Sequence, residues 1–166
     1  MKLFFRIVSA DDKNMYQDCF RNSEFYTMLF GQTRLNIDKM LSVEKGAYKF
    51  SLFSEDGDFL GFSQFFHKDG DIFSFIGGIS PIYFNSGLGV YGSVCIIDFL
   101  FNSIGAKGII TGVFKYNTRS LRMLNAIGFK STSTFEDKIL MSLSRYDFSN
   151  SFNQIILEKT KYEVYI

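Results

Sequence analysis

Tryptophan is absent from this chain, proline and histidine each occur once (Pro81 and His67), and cysteine occurs only twice. Cys19 and Cys95 stand far apart, match no metal-ligand spacing, and each falls in a segment that reads as helix. That excludes a disulfide-stapled scaffold and predicts two free, buried thiols in a reducing compartment, with no metal site. Charge of one sign is also lacking. Eighteen Lys and Arg stand against 17 Asp and Glu, for a net charge of +1. No block of like charge exists to follow a phosphate backbone, so no nucleic-acid partner is expected. No stretch approaches the ~18 apolar residues of a membrane span. The N-terminal Met1-Lys-Leu-Phe-Phe-Arg-Ile-Val-Ser-Ala10 has a faint resemblance to a signal peptide, but Arg6 interrupts its apolar run. It reads as the first strand of a cytoplasmic protein.

Phenylalanine, in contrast, is abundant at 21 residues of 166, which points to an aromatic-rich core. The length fits one domain spanning residues 1–166. Lys2 to Val8 has strand composition. Ser9 or Asp11 can cap a following helix that carries Met15, Cys19 and Phe20 on one side. Short helices are expected at about Glu24 to Phe30, ending at Gly31, and at Ile37 to Val43. Three strands follow, Ala47 to Ser54, Phe59 to His67 and Ile72 to Ile79. Asp56-Gly57 and Asp69-Gly70 separate them as tight turns, which gives an antiparallel meander. A long helix, about Leu88 to Ile104, stops at Gly105, and a strand runs from Gly108 to Tyr116. Asn117 caps the next helix, and Gly128 is placed to close it with a Leu124–Phe129 contact. Phe129 to Ser133 and Ile139 to Phe148 read as strands. The tail, 149–166, is apolar enough to pack on the domain or on a second subunit as a homodimer. Hairpins joined to a β-α-β crossover make a mixed-sheet α/β domain with helices on both faces. No repeats or linkers interrupt the order.

The chemistry centres on Ile79-Ser-Pro-Ile-Tyr-Phe-Asn-Ser-Gly-Leu-Gly-Val90. A strand ends, a glycine loop follows, and a helix begins with Val90, Val94, Ile97 and Phe101 on one face. Such a junction turns backbone N–H groups and the positive end of the helix dipole toward one spot, which suits a phosphate. The same glycines can also serve a tight connection alone.

Phe84-Asn-Ser-Gly-Leu-Gly89 resembles the Q/R-x-x-G-x-G/A acyl-CoA loop of the GNAT superfamily of N-acetyltransferases. Further on, Asn117-Thr-Arg-Ser120, Leu124 and Gly128-Phe129 resemble the Asn-x-x-Ser and Gly-Phe pattern of the same superfamily. The two signatures come in the family's order, and the resemblance runs from the first strand to Phe148. The pattern is closest to the branch of ribosomal-protein N-terminal and amino-sugar N-acetyltransferases. What the resemblance implies is a GNAT-like, mostly antiparallel sheet with one splayed parallel strand pair. It also implies acetyl-CoA as co-substrate and direct attack by a primary amine acceptor. The pyrophosphate would sit on the amides of Asn85, Ser86, Gly87, Leu88, Gly89 and Val90. Ile79 and Ser80 would pair with the pantetheine arm, and the Ile79 amide would face the thioester carbonyl. Asn117 would bond the pantetheine or order the splay, and Ser120 would touch the cofactor. His67, the only histidine, is a candidate base, with Asp69, Asp71, Glu136 and Asp137 also near expected strand ends, and Tyr116 is a candidate to face the slot. Two departures stand out. Phe84 replaces the usual Gln or Arg, and Leu124 stands where many members have an acidic Tyr. The acceptor implied is a small molecule such as a nucleotide-linked amino sugar. Alternatives are a protein N-terminus, as in ribosomal-protein acetyltransferases, or a non-catalytic acyl-CoA-binding module.

Overall fold

The computed structural model describes residues 1–166. Strand β1 (Lys2–Ile7) leads through a turn at Ala10–Asp12 into helices α1 (Lys13–Phe20), α2 (Ser23–Phe30) and α3 (Ile37–Leu41). Ser9, Asn22 and Asn36 each accept a backbone N–H at the start of these elements, as capping residues do. Strands β2 (Ala47–Ser54), β3 (Phe59–His67) and β4 (Ile72–Ile79) form the meander with the bounds expected from the two Asp-Gly turns. Helix α4 (Leu88–Phe99) continues as a π-helical turn, Leu100–Ile104, and stops at Gly105 in the left-handed region. Strand β5 (Gly108–Phe114) and helix α5 (Thr118–Ile127) follow, then strands β6 (Lys130–Phe135) and β7 (Lys138–Ser144).

Several expected elements change: β5 ends at Phe114 rather than Tyr116, and β6 runs on to Phe135 rather than Ser133. Helix α3 ends at Leu41 rather than Val43. The run Ile139 to Phe148 is a strand only to Ser144. There the Ser144 hydroxyl accepts the Asp147 N–H and starts a short helix, α6 (Arg145–Phe148). The tail forms helix α7 (Ser151–Lys159) and strand β8 (Lys161–Tyr165), which lies parallel to β1 of the same chain. The tail also finishes α5, because Asn150 and Asn153 both donate to the Ile127 carbonyl, at 3.0 and 2.7 Å.

All eight strands form one sheet in the order β6-β7-β5-β4-β3-β2-β1-β8. It is antiparallel except at β4–β5 and β1–β8. One face carries α4, α5 and α7 over a core that includes Phe5, Phe50, Phe65, Ile97 and Leu124. The other carries α1 to α3 over a second cluster built around Tyr16, Phe25, Phe30 and Phe62. Each fully buried Phe contributes on the order of 1.5–3 kcal/mol of apolar transfer, so the phenylalanine count accounts for both layers. No helix is long and apolar enough to cross a membrane.

Both cysteines are free and buried. Burial pushes the Cys19 thiol up and the Cys95 thiol to about 12. Because the thiolate is the reactive form, neither should react with Ellman's reagent until the protein unfolds. Rapid labelling of the native chain would contradict this packing.

One interruption in the sheet positions the site. β4 pairs with β5 only through Ile72–Ser74 against Gly108–Ile110. Beyond Ser74 the two parallel strands part, while β4 stays paired with β3 to Ile79 and β5 stays paired with β7 to Phe114. A wedge therefore opens toward the C-terminal ends of the strands, where ligands bind in open α/β sheets.

Candidate active site

The wedge is the mouth of a cleft of about 590 Å³, a usual size for a small-molecule site. Four walls define it: the end of β4, the loop to α4, the first two turns of α5, and the inner side of α2.

The β4 wall follows from strand parity. In an antiparallel ladder, residues alternate between bonding the partner strand and turning their polar groups away. The Ser80 N–H donates to the Leu60 carbonyl at 2.7 Å. Ile79 and Gly77, of opposite parity, therefore aim their N–H and C=O groups at the gap. Phe75, in phase with them, confirms the direction, since its carbonyl accepts the Thr111 hydroxyl on β5 at 2.9 Å. Of the expected pair, Ile79 lines the cleft, with Gly77 beside it. Ser80 is buried, its N–H is used within the sheet, and it does not line the cleft.

The loop sorts its amides just as sharply. A turn at Pro81–Tyr83 precedes it, and Asn85 and Gly87 have φ of 63° and 84°. The Ser86 N–H donates to the Tyr83 carbonyl, the Leu88 N–H to the Ser86 hydroxyl, and the Val90 N–H to the Gly87 carbonyl. No partner inside the protein takes the N–H groups of Asn85, Gly87 and Gly89, and these three residues line the cleft. Of the six amides expected to act together, three are free and three hold the loop in shape. Val90 lines the cleft through its side chain, whereas Ser86 and Leu88 do not line it.

Phe84 is explained by its neighbours. Its ring packs 6.0 Å from Phe25 of α2, and the Arg119 guanidinium lies 4.3 Å from the ring centroid. A cation held over an aromatic face gains electrostatic attraction. Arg119 also reaches Glu24 on α2 at 3.5 Å. On α5, Arg119, Arg122, Met123 and Ala126 share the cleft-facing side. That i, i+3, i+4, i+7 spacing was available in the sequence once Asn117 was taken as the helix start.

Asn117 ties the walls together. Its Oδ1 accepts the Ser120 N–H at 3.1 Å, and its Nδ2 donates to the Met28 carbonyl at 3.0 Å. These two bonds tie α2 to the start of α5, and Asn117 and Ser120 both line the cleft. Leu124 is buried in the core and presents nothing to the cleft.

The two expected catalytic side chains lie elsewhere. His67 pairs with Phe73 at the opposite end of β3 from Gly61 and Ile79. Six residues at ~3.3 Å each put it roughly 20 Å away along the strand. Its ring packs edge-on to Phe73 and does not line the cleft. Tyr116 stacks on Phe114 and donates its hydroxyl to the Thr27 carbonyl at 3.0 Å, outside the lining. Desolvation, with Asp137 nearby, pushes its phenol above the ordinary value, the wrong direction for a base. No group of three or more His, Cys, Asp or Glu side chains is arranged to hold a metal ion.

No protein-family model and no curated protein matches this sequence. Solved structures do match the fold. Spermidine N-acetyltransferase from Vibrio cholerae, solved with CoA and spermine, superposes with a TM-score of 0.77 at 14% identity, over 89% of this chain and 98% of that one. AAC(6')-Ib in complex with paromomycin and acetyl-CoA gives a TM-score of 0.76 at 15% identity, over 91% and 98%. A domain from Methanocaldococcus jannaschii gives 0.72 at 17% identity, over 86% and 97%.

Proposed function

We propose that this chain, whose fold is that of the GNAT N-acetyltransferases, transfers an acetyl group from acetyl-CoA to a primary amine. One observation carries the reading. Three unpartnered amides at a helix start and an unpaired strand edge face the same cleft. A row of free N–H groups at a helix start, together with the positive end of the helix dipole, suits an anion. The amides of Asn85, Gly87 and Gly89 hold the pyrophosphate, and Arg119 and Arg122 add positive charge. The Gly77 and Ile79 edge takes the amide-bearing pantetheine arm as a short added strand. Acetyl-CoA supplies an acetyl group already activated as a thioester. The Ile79 N–H is the donor placed to polarise its carbonyl oxygen.

The acceptor we favour is a small amino sugar, including one linked to a nucleotide. The apolar wall of Phe25, Met28 and Leu29 supports a ring-sized body. A second reading, a module that binds acyl-CoA without turnover, is favoured by the burial of Leu124 and the remoteness of His67. Free-thiol release from acetyl-CoA across a panel of amines separates the two. Amine-dependent release supports the transferase, and tight acetyl-CoA binding with no release supports the module. In either reading, Arg119→Ala should loosen CoA by about tenfold, the value of one charge-assisted contact. An unchanged Kd by calorimetry would remove Arg119 from the site.

A further inference from the structure

We infer that the acceptor is a weakly basic primary amine whose body carries no further positive charge. The inference rests on the acetyltransferase reading above and on the composition of the cleft wall.

Among the residues lining the cleft there is no Asp, Glu, His, Lys or Cys. The α2 wall is Phe25, Met28 and Leu29, and the strand and α4 walls add only apolar residues, glycines and the hydroxyls of Ser63 and Ser93. The charged groups facing the cleft are Arg119 and Arg122, and Tyr83 brings a phenol. Glu24, outside the lining, pairs with Arg119. Glu136 and Asp137 lie in the β6–β7 turn, also outside the lining, where Lys115 bonds their main-chain carbonyls. The buried charges of the fold are committed to partners away from the lining: Asp12 to Arg6 and Ser51, and Lys49 to Glu44.

Two consequences follow. First, only a neutral amine can attack. The nitrogen forms a bond to the acetyl carbon, the carbon–sulfur bond breaks, and the proton lost by nitrogen ends on the sulfur as the CoA thiol. With no proton acceptor in the wall, the rate scales with the fraction of acceptor already neutral in solution. At pH 7 that fraction is about one in ten for an α-amine of pKa about 8, but about one in 2,500 for an alkyl amine of pKa about 10.4. Second, a polycation would enter a cleft whose lining holds no carboxylate. Its extra charges would lose water without gaining a partner. Amino sugars, α-amines and aromatic amines satisfy both conditions, and polyamines satisfy neither.

The test is thiol release by the wild-type protein at saturating acetyl-CoA, from about pH 6 to 9. The acceptors are a hexosamine phosphate, a dipeptide, an aromatic amine, cyclohexylamine and spermine. Expected at pH 7 is a kcat/KM for the hexosamine or dipeptide roughly a hundredfold above cyclohexylamine, following the neutral fractions. Each acceptor's kcat/KM should follow that acceptor's own neutral fraction, levelling off above about pH 8 for the dipeptide and still rising about tenfold per pH unit at pH 9 for cyclohexylamine. Spermine should stay below cyclohexylamine even at the highest pH. Met28→Glu, which adds a carboxylate to the α2 wall, should raise spermine relative to cyclohexylamine by roughly tenfold, one charge-assisted contact. A preference for spermine in the wild type, or one acid limb shared by all acceptors, would overturn the inference and leave the transferase reading standing. Binding of acetyl-CoA with no release from any amine would overturn both.

Discussion

Gly89→Glu should weaken acetyl-CoA binding by at least about a hundredfold, the loss of two charge-assisted contacts at ~1.5–3 kcal/mol each. Gly89 is the second residue of α4, its N–H is one of the three free donors, and it faces the cleft. A Cβ there would lie 3.3 Å from Ile79 Cγ1 and 3.6 Å from Met123 Sδ, both flexible side-chain atoms. The backbone can therefore accept the substitution. The new carboxylate then occupies the focus of the free amides, satisfies them itself and repels pyrophosphate. Negative charge in the first turn of a helix is stabilising, so thermal unfolding should move little while affinity collapses. Gly89→Ala serves as the control and should cost only a few-fold in affinity, since it adds bulk without charge. Equal affinities for Gly89→Glu and wild type would place the phosphates somewhere else.

Gly61→Ala should have the largest structural effect. Gly61 faces Ile79 across β3 and β4 with φ of 154°. An added Cβ would fall 2.2 Å from the Gly78 carbonyl oxygen and 2.9 Å from the Ile79 Cα. Both are backbone atoms, so no side-chain rotation relieves the contact. The strands must separate at the cleft end. The cost should be about 3 kcal/mol or more, which for a chain of this size lowers Tm by roughly 6–12 °C. Because the same stretch of β4 carries the unpaired edge, acetyl-CoA affinity should fall with it. Gly70→Ala is the contrast, since it has open space around its Cβ and pays only the left-handed penalty of about 1–2 kcal/mol. If calorimetric scans show the two variants equally stable, the tight approach of β3 and β4 is misjudged.

Local chemistry made much of this fold readable. Asp56-Gly57 and Asp69-Gly70 bound β2, β3 and β4 at the expected residues, because a turn of four residues leaves strand ends little freedom. Asn117 and Gly128 bound α5 for the same reason. Gly128 takes φ of 112°, and the Phe129 N–H returns to the Leu124 carbonyl. Properties that depend on register or long-range pairing were less accessible. Parity along β4 decides that Gly77, not Ser80, joins Ile79 in facing the gap, and parity is set by pairing with Leu60. The tail's strand β8 finds β1 across nearly the whole chain, a contact with no local signal. His67 is different, because the answer lay in the turn already recognised. A hairpin at Asp69-Gly70 brings His67 to the start of β4, so the Ile79 end must lie at the far side of the sheet. The free amides of the loop depended on details, such as the Ser86 hydroxyl receiving the Leu88 N–H, that composition does not specify.

The central claim is that the glycine loop and the unpaired end of β4 form one acyl-CoA cleft. Amide-resolved NMR during an acetyl-CoA titration tests it most directly. The account predicts saturable shifts at Asn85, Gly87 and Gly89 together with Gly77 and Ile79, and none at His67. Saturable binding that leaves the loop amides unmoved, or moves them without the β4 edge, would contradict it.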